Sequence, residues 1–442
     1  MIPGLGLFYS GFSNSKNAIL PIILSFISLA VTSIQWTFFG YSLSFSEYSQ
    51  NPFIGDFYYG LFINVYGSTN PIAPEIPAIT FSIFQCLFSA ITSTIYIGSV
   101  SDRVRVLPLI VFFFLWSTLV YDFIAYWNWS PNGWLSKLGV YDYAGGNVVH
   151  VNGGATGLVL CYFLDGLKKK KKDSDLPKHN IINIITGTFL LWFGWFGFNA
   201  GSGYKADVRA GYAFYNSNLA ACVGGLTWMV LGNISNYSLP KRSKDWRYPV
   251  TDFCSGSIAG LVAITPAAGF VNIWSSPIFG VVASISSFYS AILIDNIGFN
   301  DYLNVFSSHG VVGIMGSILT GVFSSKKVAS YSGTTIKGGW INGNFVQVPI
   351  QLLASITTVT WSCIITYILC HTINYFKVFK FEHSDTEDID MVETCEFAYN
   401  YIQIKDVVIL ESGPETLENS TMEKSCERGL YYASSIAPSS SR

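Results

Sequence analysis

The sequence predicts an all-α polytopic membrane protein with eleven transmembrane helices, the first apparently truncated, and a cytoplasmic C-terminal tail. Three observations predict it. Half of the 442 residues are hydrophobic and only 12% are charged, about half the charge of an ordinary soluble domain, with a mean hydropathy of +0.39. The apolar residues fall into runs of the roughly 20 residues that a helix needs to cross a bilayer. Finally, lysine and arginine are unevenly shared between alternate loops, as they are in inserted membrane chains. The net charge of −2 offers no basic footprint for nucleic acid, so the expected surroundings are lipid. No CxxC pair or metal-ligand spacing occurs among the eight cysteines. Those at 86, 161, 222, 363 and 370 stand in apolar runs as small hydrophobes, and neither a metal nor a cofactor is expected.

In chain order the spans are read near 18–43, 77–99, 105–127, 144–166, 180–200, 211–233, 252–272, 275–295, 308–324 and 347–376. The runs starting at 252 and 308 give the weakest signals. Before them the chain opens "MIPGLGLFYSGFSNSKN", an apolar stub too short to cross alone. Alternating the spans puts 15 cations in one set of loops, "KKKKK" at 168–172 among them, and 6 in the other. The positive-inside rule then places the N-terminus outside and the tail in the cytoplasm. The spans make a transmembrane domain over 1–380. From 381 to 442 the chain is acidic and serine-rich ("FEHSDTEDID", "ESGPETLENSTMEKS"), the composition of a partly disordered tail.

A weak internal repeat divides the spans into two five-helix halves. Asp142 precedes His150 by eight residues, as Asp301 precedes His309, and each histidine leads into a small-residue run, "HVNGGATGLV" and "HGVVGIMGSILTG". "LGLFYSG" (5–11) is echoed by "FGFNAGS" (196–202), and both pairs run in opposite directions across the membrane. This is the pattern of inverted-repeat transporters, whose sites lie near the midplane. Eight helical residues carry each histidine roughly 12 Å inward from its aspartate, so the two could meet. The same alignment leaves the first helix at about half length and leads us to expect an upstream extension of about ten to twenty apolar residues.

Asp142, His150 and His309 are the titratable groups singled out within or at the mouths of spans. Ionisable groups there are functional-site hypotheses by default, although Asp142 is equally suited to capping the helix that follows it. Two neutral imidazoles in an apolar bore can relay a proton or line a path for a small polar molecule; without a third ligand they make a weak zinc site. "YWNWSPNGW" places Trp127 and Trp129 just ahead of Asp142, where an indole face could attract a small cation or simply anchor the chain at the interface. Phe88 in "FQCLFSA" and Phe198 in "FGFNAGS" carry no signal of their own among 34 phenylalanines.

The stretches "PGLGLFYSG", "WTFFGYSLSFS", "DYAGGNVVH", "GWFGFNAGS", "GSIAGLVAITPAAGFV" and "VFSSHGVVGIMGSILTGVF" together resemble the ammonium transporter family, which includes the methylammonium permeases and Rh proteins. The resemblance runs from residue 1 to about 408, and "YDFIAYWNWSPNGW", "GGWINGNFVQ" and "CEFAYNYIQI" are similar to fungal members. It implies a non-enzymatic permease of the plasma membrane, a homotrimer with one pore per subunit. Ammonium is the implied substrate and methylammonium a further candidate. By motif it assigns Asp142, Trp129, Ser202 and Phe88 to an external ammonium site, with Trp127 as the alternative tryptophan. His150, His309, Phe88 and Phe198 are assigned to the pore. The family usually has acids where "NDYLNVF" has Asn300 and Asn304. Two other functions fit the same residues: an ammonium sensor signalling through its tail, and a neutral gas channel.

Overall fold

Inside hydrocarbon each backbone N–H and C=O must find its partner within its own segment, so the apolar runs have helix as their outlet. The computed structural model describes residues 1–167, 178–235, 246–375 and 389–399. Among them, nine helices are long and apolar enough to cross a membrane: Ser15–Phe45, Ala78–Ser99, Val106–Leu138, Gly146–Asp165, Ile181–Gly201, Val208–Ser235, Ile273–Ile297, Phe306–Phe323 and Gln347–Asn374. Two shorter helices, Ile2–Phe12 and Val250–Ile264, complete the expected set. All belong to one unit, Met1–Ala398; of a second, Tyr399–Arg442, only Tyr399 is described. The lysine run 168–172, the cations at 241–244, Lys377, Lys380 and the tail beyond 399 lie outside the described residues.

The run expected at 252–272 is helical only to Ile264. Pro266 has no N–H to return to Val262, whose carbonyl takes the N–H of Thr265 instead (3.2 Å), and the helix stops there. A feature the sequence did not announce is a small antiparallel pair, Thr69–Asn70 with Ala73–Pro77. Outward-facing residues stay apolar: Phe189 and Phe193 are 69% and 77% exposed, while Leu191 and Trp195 on the same helix are buried. A helix apolar on every side suits lipid on one face and protein on the other.

Glycines let the helices close up. Ile2–Phe12 lies along Ile181–Gly201 so tightly that a Cβ on Gly187 would come 2.5 Å from the Phe8 nitrogen. The helices carrying the two histidines cross at Gly154 and Gly310, where a Cβ on Gly154 would sit 2.3 Å from the Gly310 nitrogen. Among the described residues, four helices also contain a π turn: Trp36–Gly40, Ser117–Tyr121, Gly146–Val151 and Phe306–Val311. Such turns are rare and concentrate at functional sites.

A short helix, Ile389–Thr394, closes one end of this unit. The Asp390 carboxylate accepts the N–H groups of Ala18, Ile19 and Leu20 at 2.7, 2.8 and 2.9 Å. Three residues on, Glu393 accepts the Val106 N–H (2.9 Å) and lies 3.5 Å from the Arg105 Nε. Two acids thus satisfy free donors at the starts of two membrane helices, where the helix dipole also favours negative charge.

Candidate transport site

The site is built on the two helices that begin after Asp142 and Asp301. Asp142 Oδ1 accepts from the Gly145 and Gly146 N–H groups, and Oδ2 from Asn147 (2.9 Å) and Val148 (3.2 Å). Asp301 Oδ2 accepts the Phe306 N–H at 2.8 Å. Both aspartates therefore cap the helices that follow. Burial pushes both carboxyls up from the usual carboxylate range, and the capping N–H groups pull them back.

Each of these helices opens with a π turn that contains its histidine. His150 and His309 are 1% and 3% exposed. Their Nδ1 atoms lie 3.2 Å apart, with ring centroids 5.3 Å apart at 25°. One Nδ1 must carry hydrogen and the other a lone pair, so the neutral rings take opposite tautomers. The pair then offers one Nε2 acceptor and one Nε2–H donor. His150 Nε2 is buried and has no hydrogen-bond partner among the described residues. Trp195 stacks on the His150 ring at 5.3 Å and 18° and is itself fixed by its Nε1–H to Thr265 Oγ1 (2.9 Å). The first histidine helix is also fastened to Gln347–Asn374: Ser355 and Ser362 donate to the side-chain oxygens of Asn147 and Asn152, each at 2.8 Å. Polar ties of this kind hold helices together where apolar packing gives no preference over lipid.

Further aromatic rings continue the contacts from His150. Phe198 lies 6.2 Å from His150 and stacks on Phe88 at 4.1 Å and 15°. Phe88 meets Trp129 edge to face at 5.8 Å, and the Trp129 Nε1–H donates to the Asp142 carbonyl oxygen at 2.8 Å. Trp127 belongs to another cluster, donating to the Phe53 carbonyl (2.7 Å) and packing on Trp134 and Trp361. Ser202, at the end of Ile181–Gly201, gives its hydroxyl hydrogen to the Phe198 carbonyl (2.8 Å), which leaves its oxygen free to accept. The structure thus brings Trp129, Phe88, Phe198, His150 and His309 into one row. Asp142 and Ser202 are bonded to backbone of its neighbours. No three His, Cys, Asp or Glu side chains converge among the described residues.

A family model, the Ammonium Transporter Family, matches residues 1–399. The chain belongs to that family. It is 40% identical over 409 residues to ammonium transporter MEP2 of Saccharomyces cerevisiae, covering 90% of this chain and 80% of the relative. Ammonium transporter 1 of Schizosaccharomyces pombe is 38% identical over 406 residues, covering 91% and 80%. The crystal structure of Saccharomyces cerevisiae Mep2 superposes with a TM-score of 0.79 at 38% identity, over 90% of this chain and 89% of that one. For Candida albicans Mep2 the values are 0.80, 37%, 90% and 86%.

Two residues went unnoticed in the sequence. Trp195 stands three residues before Phe198, one helical turn away on the same face, a spacing that could have linked it to His150. Asp122 lies inside the third long span and is fully buried, so it joins His150 and His309 as a titratable group within a span. The family departure at Asn304 has a local reason: its φ is +54°, a left-handed conformation that asparagine adopts readily. Asn300 donates from its side-chain amide to the Asp165 carboxylate at 3.0 Å.

Proposed function

We propose that this chain moves ammonium across the plasma membrane as a homotrimer, each subunit with its own pore, its N-terminus outside and its tail in the cytoplasm. The observation that carries the proposal is the unbroken row from Trp129 through Phe88 and Phe198 to the paired histidines. A small cation is drawn to the exposed side of this row by the Trp129 and Phe88 rings, a cation–π attraction of roughly 0.5–2 kcal/mol. The Ser202 oxygen accepts one N–H. Both oxygens of Asp142 are engaged by backbone, so its charge acts through space from behind Trp129.

The stacked phenylalanines bar a hydrated ion, and a bare cation pays heavily to enter so apolar a bore. Ammonium is an acid and has another way in. It leaves its proton outside the stack and passes as ammonia, which can donate to one histidine Nε2 and accept from the other. Potassium has no proton to shed. The histidine pair, bonded at 3.2 Å, supports separate passage of the proton. Methylammonium carries the same N–H donors and is expected as a second, poorer substrate.

The test is ammonium-evoked current in sealed proteoliposomes, with internal pH followed in parallel. Inward positive current that His150→Ala abolishes is the expected result. Alkalinisation above protein-free vesicles without current would replace the proton path with a neutral ammonia channel. No response in either channel would end the transport reading.

A further inference from the structure

A carboxylate buried in an apolar span is costly and calls for a reason. Asp122 accepts from Gln35 Nε2 at 2.7 Å and from Ser44 Oγ at 3.0 Å. Both partners lie on the helix Ser15–Phe45, one on each side of the π turn Trp36–Gly40, and Asp122 itself is the first residue after the π turn Ser117–Tyr121. It therefore fixes the spacing across one irregular turn from the end of another. Ser44 is followed by Phe45, whose ring lies parallel to Trp129 at 6.3 Å and 13°. Trp129 is seven residues beyond Asp122 on the same helix, two turns along the same face. The two helices thus meet in two rungs: Ser44 on Asp122, then Phe45 on Trp129. Phe45 is boxed in by Trp36 at 6.1 Å and Phe81 at 5.0 Å, so its place follows from where the helix ends.

We propose that Asp122 is a positioning residue of the transport site: through Ser44 it sets the Phe45 ring against which Trp129 is stacked. This rests on the reading of Trp129 as the outer aromatic of the pore. The rival reading, a simple polar tie between helices, predicts lost stability without an effect directed at substrate capture.

Ammonium-uptake kinetics in proteoliposomes separate the two. Asp122→Ala and Phe45→Ala should each raise KM roughly three- to tenfold, the scale of one aromatic pairing, with Vmax changed far less. Asp122→Asn should recover much of the loss, because its amide oxygen still accepts from Ser44. The double variant Asp122→Ala, Phe45→Ala should be little worse than either single one. A fall in Vmax at unchanged KM would overturn the proposal. Should Asp122→Ala fail to fold, Ser44→Ala is expected to give the same rise in KM. A cryo-EM structure of the variant supplies an arm independent of transport. Displacement of Trp129 from Phe45 and Phe88 is expected, and an unmoved Trp129 refutes the proposal even if the chain carries no ammonium.

Discussion

Replacing Gly154 by alanine tests whether the histidine pair is set by backbone contact. The added Cβ would stand 2.3 Å from the Gly310 nitrogen and 2.5 Å from its Cα. Carbon needs about 3.5 Å from such atoms, and backbone cannot step aside as a side chain can. The two helices must therefore part by roughly 1 Å. Carried to the adjacent rings, that takes the Nδ1 to Nδ1 distance from 3.2 Å to about 4 Å, beyond hydrogen bonding. Overpacking of this kind costs about 1–3 kcal/mol, so the variant should fold but melt earlier. Ammonium-evoked current in proteoliposomes should fall at least tenfold. Gly224→Ala is the control: its Cβ meets the Gly256 carbonyl oxygen at 2.4 Å, in a contact between other helices. It should lose comparable stability and keep its current. Full current in Gly154→Ala, with the ring nitrogens still bonded, would refute the reasoning.

Other perturbations reach other parts of the row. Phe198→Ala removes half of the stack at 4.1 Å and should admit potassium; selectivity equal to that of the unaltered chain in a bi-ionic potential measurement would contradict the barrier role. Asp142→Ala leaves four helix-start N–H groups without their acceptor and should cost about 2 kcal/mol or more, read as a lower melting temperature, together with a higher KM for ammonium. Asp390→Ala should cost about 1–2 kcal/mol through the three donors it caps, and a melting temperature unchanged in detergent would count against that cap.

Most of the fold could be read from the sequence because a bilayer is an undemanding code: run length gives the helices, and cation bias suggests their direction. The end of one helix at Ile264 could be missed because "PAAGFV" is as apolar as a span, and hydropathy does not register the donor that Pro266 lacks. The histidines and Asp142 stood out because charge is scarce in such runs. Phe88 and Trp129 did not, since composition cannot separate one ring from its many fellows, and only the family resemblance named them. Asp122 was as legible as any charge inside a span; its role was not, since its partners Gln35 and Ser44 lie more than seventy residues away, where periodicity has no reach. The π turns left no pattern, because a helix that gains one residue keeps its hydropathy and changes only its register.

That register carries a consequence for how such a chain tolerates insertions and deletions. An α-helix advances about 100° per residue, and the π turn Ser117–Tyr121 takes up one residue more than an α turn would. Losing any single residue from that stretch would tighten the turn without touching a functional side chain. The turn would close to an ordinary α turn and Asp122 to Trp129 would keep their bearing, whereas losing one residue from the regular helix between Asp122 and Trp129 would swing the tryptophan by about 100° around the helix axis, away from Phe45 and Phe88. The π turn is thus a reserve of one residue: a gap there is absorbed, while a gap of one position beyond Asp122 would be as damaging as the loss of the tryptophan itself.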